Sequence, residues 1–318
     1  MPQGDAEDAP PPRRFSAGWM AGAPDHIVTM AEPFAVAADG PDDYVWIVLP
    51  SGVTEDCFLA SVDFWPEPRR VVHHVIALLD VTGQARALDA ADPGPGYRRF
   101  GDPGFPPFAT LGVWGPGTVP HRLPKGYARE FPAGADIVLQ LHCTKTGRPE
   151  SVNFRIGLHF AKEKVERLVF TVLFGSPDMR IPAGAAAFKV KDTMIAPTRS
   201  EILAIGPHMH LLGRSYALST ETPEGRIEEL IRIDDWDFDW QLPYVFRAPL
   251  IVTPGTKLHM TGVFDNSAGN PRNPHHPPRE VRTGPSSTDE MLATFIDVSL
   301  PDDPMLENLR KLFPIDRK

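Results

Sequence analysis

The sequence predicts an all-β protein of two antiparallel jelly-roll sandwich domains in tandem. Runs rich in β-branched and aromatic residues recur along the whole chain, and few stretches carry helical periodicity. Pro (36) and Gly (26) are abundant but fall between the apolar runs rather than in one tract. That is the pattern of many short strands joined by turns, as in a sandwich or jelly roll. In the first half the expected strands are 44–49, 58–65, 71–79, 136–143 and 152–160. In the second half they are 167–175, 201–213, 227–233, 244–252, 257–265 and 291–298. Turn residues separate them at Pro132-Ala133-Gly134, Pro182-Ala183-Gly184, Pro223-Glu224-Gly225 and Pro254-Gly255. The stretch 81–131 exceeds an ordinary connection and is expected to be a functional loop or a cover over the sandwich. Met305, Leu306, Leu309, Leu312 and Phe313 share one face of an expected C-terminal helix.

A length of 318 residues fits two domains. The charged segment AKEKVER divides the apolar runs at 161–167, so the expected organisation is a disordered leader at 1–24 and domains at 25–162 and 163–318. FPAGADIVLQLH and VTPGTKLHMTGV share a turn-then-strand layout, a hint that the halves are similar. A net charge of −9 argues against a general nucleic-acid binder. No apolar stretch approaches the length of a membrane span. Cys57 and Cys143 form no disulfide framework, and whether they pair is open. The start of the chain lacks the basic and apolar regions of a signal peptide, which leaves localisation unassigned.

The chemistry concentrates in a few residues: His73-His74 in VVHHVIALLD, His142 in LQLHC, His208-Met209-His210 in IGPHMHLLGR, and Met291 in STDEM. Imidazole suits copper, zinc, iron and nickel, but a thioether is a soft ligand that favours Cu(I). The set therefore points to redox copper rather than structural zinc. His208 and His210, at i and i+2 on a strand, would point to one face and chelate one ion. Adjacent strand residues such as His73 and His74 point to opposite faces. For both to reach one ion, the strand must be distorted or one ring must use Nδ1 and the other Nε2. Taken singly, His142 reads as a core histidine and Met291 as a core methionine.

The other histidines read as structural. His275-His276 lie among prolines, and His26, His121, His159 and His259 have no partner at ligand spacing. Glu163 and Glu166 read as solvated linker charges. The interleaved Trp236, Phe238 and Trp240 of DDWDFDW suggest a packed turn more than a carbohydrate or calcium site. No GxSxG, Walker A, GxGxxG or HExxH pattern supports hydrolase, nucleotide or zincin chemistry.

In order, VVHHVIALLD, LQLHCTKTG, PHMHLLGR, FDNSAGNPRNP and STDEM resemble the copper type II, ascorbate-dependent monooxygenases over roughly residues 30–300. That family includes peptidylglycine α-hydroxylating monooxygenase and dopamine β-hydroxylase, and the chain looks closest to its bacterial relatives. The resemblance implies two jelly-roll domains, each carrying one copper, facing each other across a solvent-filled cleft. By that resemblance His73, His74 and His142 hold an electron-transferring copper. His208, His210 and Met291 hold the copper where dioxygen binds and a substrate C–H bond is attacked.

The chain departs from the family at three positions. Gly206 stands where the peptide-amidating members have a carboxylate-binding arginine, and Ala293 and Phe295 replace an asparagine and a tyrosine. Recognition of a C-terminal glycine is therefore not expected, unless Arg214 provides another anchor. The expected activity is hydroxylation of a small-molecule substrate with O2 and two coppers per chain. Ascorbate or another reductant, or a redox donor protein or domain, would supply electrons. The resemblance suggests a periplasmic or secreted location. Two alternatives stay open: a copper-binding electron-transfer protein without oxygenase activity, and a cupin-like single-metal dioxygenase. The glutamate that the cupin reading needs shortly after the HxH is absent from LLGRSYALS.

Overall fold

The computed structural model describes residues 18–99 and 101–300. The protein is all-β, with several largely antiparallel sheets and, among the described residues, a single α-helix. The first half contributes β1 (His26–Thr29), β2 (Phe34–Val36), β3 (Asp43–Pro50), β4 (Cys57–Glu67) and β5 (Val72–Asp80). After them come α1 (Gln84–Ala91), β6 (Ala109–Trp114), β7 (Tyr127–Phe131), β8 (Asp136–Cys143) and β9 (Glu150–Phe160).

One sheet of this half has the order β3-β8-β5-β6. Its residues alternate cleanly, as a strand period of two requires. Val45, Ile47, Leu49, Val75, Ala77, Leu79, Leu139 and Leu141 enter the first core, against Phe131, Phe154 and Ile156. Trp46, Leu78 and Val138 point the other way, where Ala85, Tyr97 and Phe105 cover them. The stretch 81–131 is therefore not one structureless loop. It holds α1, β6 and β7, and part of it packs on the outer face of the sheet.

The second half contributes β10 (Arg167–Gly175), β11 (Arg180–Ile181), β12 (Phe188–Ile195), β13 (Ser200–Met209) and β14 (Gly213–Glu221). It continues with β15 (Ile227–Ile233), β16 (Tyr244–Val252), β17 (Lys257–Phe264), β18 (Val281–Arg282) and β19 (Leu292–Ser299). A four-stranded sheet, β12-β17-β14-β15, closes over a second core containing Tyr216, Met260, Phe264, Leu292 and Ile296. The two cores share no residue, and the connection 161–166 falls between them.

A nine-stranded sheet, β1-β9-β4-β7-β10-β19-β13-β16 with β2 on β9, crosses both halves. The join is a short parallel pairing of β7 with β10, Tyr127 opposite Arg167 and Ala128 opposite Leu168. The expected strands all appear, several with ends shifted by one or two residues and one with a larger change. The run 201–213 ends as a strand at Met209, and β14 starts at Gly213. The alternating β12, with every second residue exposed, was not among the expected strands. Gly134 and Gly255, in the two turn-then-strand segments, adopt φ of 69° and 84°, a left-handed region that glycine enters without a Cβ clash.

Residues 18–24 are held in place, unlike the leader expected there. Trp19 packs edge-on to Trp65 at 5.5 Å, and the Met20 and Ala21 amides donate to Asp63. The rest of that leader, and the expected C-terminal helix, lie outside the described residues. Cys57 and Cys143 are both free thiols. Among the described residues no helix is long and apolar enough to cross a membrane.

Candidate metal centre

His74 and His142 face each other across β5 and β8 as a Cα pair. They continue the rows Ile76–Leu78 and Gln140–Val138 on the sheet face turned away from the first core. His73 is the extra residue of a register shift between Val72 and His74. Such a bulge re-aims one side chain, and here it lets two consecutive histidines meet on one side. Their Nδ1 atoms are 3.2 Å apart, and the His142 Nδ1 lies 3.2 Å from that of His74. All three offered ligand atoms fall within 4.8 Å of one another. The strand is thus distorted as one of the two options required. The Nδ1 atoms of both rings turn toward each other.

The far nitrogens of His142 and His73 differ in their surroundings. His142 Nε2 is 2.8 Å from Asp42 Oδ2, and its ring stacks on Tyr44 at 4.1 Å. His73 stacks on Phe238 at 4.3 Å, and its Nε2 lies 3.7 Å from Asp239 Oδ1, beyond hydrogen-bond range. His73 Nε2 otherwise has no partner.

The second set sits at the end of β13 and just before β19. These strands pair His208 with Ala293 and Met209 with Leu292. Met209, Leu292 and Ile296 enter the second core, so His208 lies on the opposite face. The expectation that His208 and His210 share a strand needs correction. β13 ends at Met209, and His210 is the first residue of the turn. The two rings nonetheless stand 5.0 Å apart at 85°. His208 Nδ1 is 2.6 Å from Gln241 Oε1, and His210 Nδ1 is 3.3 Å from the Asp289 carbonyl. Both rings therefore keep Nε2 for another partner. Met291 lines one cavity with these two rings and with His73 and His74.

Glu290, fully buried, binds this set together. Its carboxylate accepts the amides of His210 (3.0 Å), Leu212 (2.6 Å) and Met291 (3.1 Å). Gly206 and Phe295, at two of the positions that depart from the family, are cross-strand partners on the His208 face.

The two sets meet at the seam between the halves. The His74 and His208 rings are 6.4 Å apart, so no wide cleft separates them at this point. The turn containing Phe238, Asp239 and Gln241 spans the seam, with Phe238 against both His73 and, at 6.1 Å, His210. Burial lowers the basicity of these rings. It pushes His73 down to about 4, helped by His142, and His210 down to about 3, helped by His208. His74 and His208 are shifted the same way by burial first. Neutral imidazoles offer lone pairs, the form a metal requires. Three converging Nδ1 atoms in one set, and two imidazoles lining a cavity with a thioether in the other, are donor types that a copper ion accepts.

Every predicted site residue is thus brought to one region. Sequence reasoning missed Asp42, Gln241 and Glu290, and saw Phe238 and Asp239 only as part of a packed turn. Glu290 adjoins Met291 in sequence, but nothing local marks a glutamate as a clamp. Three of the remaining histidines have structural partners: His26 contacts the Ser51 carbonyl, His259 lies between Thr193 and Glu221, and His275 contacts the Thr288 carbonyl.

No family model and no curated protein matches this chain. Among solved structures, the major capsid protein P2 of bacteriophage PM2 is similar at TM-score 0.35 and 9% identity, over 86% of this chain and 96% of that one. The VP2 subviral particle of infectious bursal disease virus is similar at TM-score 0.19 and 10% identity, over 93% and 89%. Likeness of this order carries no functional argument.

Proposed function

We propose that this protein is a dicopper monooxygenase, folded as two tandem jelly-roll domains divided at residues 162 and 163. The observation that carries the reading is the contrast between the two donor sets. His73, His74 and His142 converge through Nδ1. A few ångströms away, His208 and His210 keep Nε2 free on the wall of a cavity shared with Met291. The motif resemblance supports the same division.

Copper bound at these sets would supply one-electron redox chemistry and activation of dioxygen. The protein's own residues would do the rest. Asp42 fixes the His142 ring so that Nδ1 faces its neighbours, and Gln241 does the same for His208 with the opposite nitrogen. Met291 brings a soft donor to one set only, which biases that set toward the reduced metal. Phe238 and Phe295 limit the water around the rings. The overall reaction balances as R–H + O2 + 2 e⁻ + 2 H⁺ giving R–OH + H2O, with ascorbate or another external reductant as electron source.

The test is metal analysis of the copper-loaded chain, followed by oxygen uptake with reductant across amines, peptidylglycines and alkyl aromatics. The reading expects two coppers per chain and substrate-dependent oxygen uptake with a hydroxylated product. Two coppers without uptake on any C–H donor would favour the electron-transfer alternative, and one copper would exclude the two-site assignment.

A further inference from the structure

The cavity beside His210 and Met291, about 290 Å³, is walled by Trp46, Ile76, Trp114, Leu173, Phe238 and Phe295. Among the described residues its lining contains no lysine and no arginine. Apart from the Nε2 atoms of His208 and His210, its polar groups are largely committed to the protein itself. Gln241 uses its oxygen on His208 and its amide on the Phe238 carbonyl. Thr171 donates to Asp297 and accepts from Arg129, and that arginine is paired with Asp297 at 2.6 Å. The Trp46 indole N–H donates to the Arg99 carbonyl, and the Gln140 amide donates to the Gly101 carbonyl. The one carboxylate on the wall, Asp239, stands 3.7 Å from His73 Nε2 and is itself largely exposed.

A neighbouring cavity reaches His208 but neither His210 nor Met291, and its Arg129 and Asp297 neutralise one another.

We propose that the cavity takes a neutral, apolar substrate of the alkyl-aromatic class and discriminates against its charged analogues. The inference rests on the monooxygenase reading for what happens to that substrate, but not for its binding. In the metal-free cavity a carboxylate meets no lysine or arginine, and an ammonium meets only the exposed Asp239 carboxylate. An ionised group buried without a partner is strongly disfavoured, whereas the aromatic and aliphatic walls gain by covering an apolar one.

The test uses three probes of similar shape: propylbenzene, 2-phenylethylammonium and 3-phenylpropanoate. Their binding to the full chain is measured by calorimetry, with and without copper. A second protein, Leu173→Arg, places a cation on the wall at a residue already 54% exposed, so folding is not at stake. The expected result is propylbenzene binding at least about tenfold tighter than either ion. The variant should weaken it and gain affinity for 3-phenylpropanoate. Equal or tighter binding of either ion, no binding of propylbenzene, or an unchanged pattern in Leu173→Arg would overturn the inference. Turnover separates the two claims. If propylbenzene binds as expected but reductant and O2 give no hydroxylated product, the monooxygenase reading falls and the cavity assignment stands. If only a charged probe is hydroxylated, the cavity assignment falls and the enzyme reading stands.

Discussion

The Glu290 carboxylate accepts the backbone N–H of His210 at 3.0 Å, and so ties the end of β13 to the segment that carries Met291. With Leu212 also donating, one buried side chain satisfies three amides that no strand partner reaches. Glu290→Ala leaves those donors without an acceptor. Each unsatisfied buried group costs roughly 1–3 kcal/mol, so a loss of about 3 kcal/mol or more is expected, read as a lower Tm in thermal denaturation. The variant should also bind less copper at the His208 set while the His73 set is retained. An unchanged Tm would remove the clamp role.

Asp42 acts on the other set. Asp42→Asn removes the charge that holds His142 through Nε2. Loss of such a partner weakens metal binding by about 10- to 100-fold in comparable sites. Competition with a Cu(I) chelator should show that loss at one site only, with the circular dichroism spectrum unchanged. Equal affinity in variant and parent would show that His142 needs no orienting carboxylate.

Copper stoichiometry distinguishes two sites from one merged cluster, a live question with the His74 and His208 rings 6.4 Å apart. The double variant His208→Ala/His210→Ala should bind one copper where the parent binds two, measured by atomic absorption after desalting. Loss of both ions would mean that the histidines act as a single centre.

Met291→Ile preserves apolar bulk and deletes the sulfur. Swaps of this kind usually cost less than about 1.5 kcal/mol, so the protein should stay folded. Turnover should be lost, and the copper–sulfur contribution should vanish from X-ray absorption of the reduced protein. An active variant with an unchanged spectrum would sink the ligand role.

Stability of the metal-free protein should depend on pH in two opposed windows. Burial lowers His73 and His210 to about 4 and about 3 from 6.5. Between those values the unfolded chain binds more protons, so this contribution is full above 6.5 and lost as pH falls toward 3–4. Burial raises Glu290 from 4.5 to about 8, against the pull of its three amide donors. Its contribution is full below 4.5 and lost as pH rises through about 8. Melting curves from pH 4 to 9 should fall at both ends. Glu290→Gln should flatten the alkaline limb and leave the acid limb; a parent curve without an alkaline limb would contradict the assignment.

Much of this protein is written locally. Alternation of apolar residues and the Pro–Gly turns determined the strands, because side-chain period and positive φ act over a few residues. Residue chemistry named the candidate donors, with Met291 the one soft atom among them. Local sequence could not decide how His73 and His74 share one side. A bulge opposite His142, 68 residues from His74, does that. Nor could it assign nitrogens. Asp42 and Gln241 set them from positions 100 and 33 residues away from His142 and His208. The meeting of the two sets depends on the β7–β10 pairing and on the Phe238–Gln241 turn crossing the seam. Such relationships have no signature in the periodicity of one strand. They arise only when pairing register and packing bring distant segments within a few ångströms, where hydrogen bonds and ring contacts act.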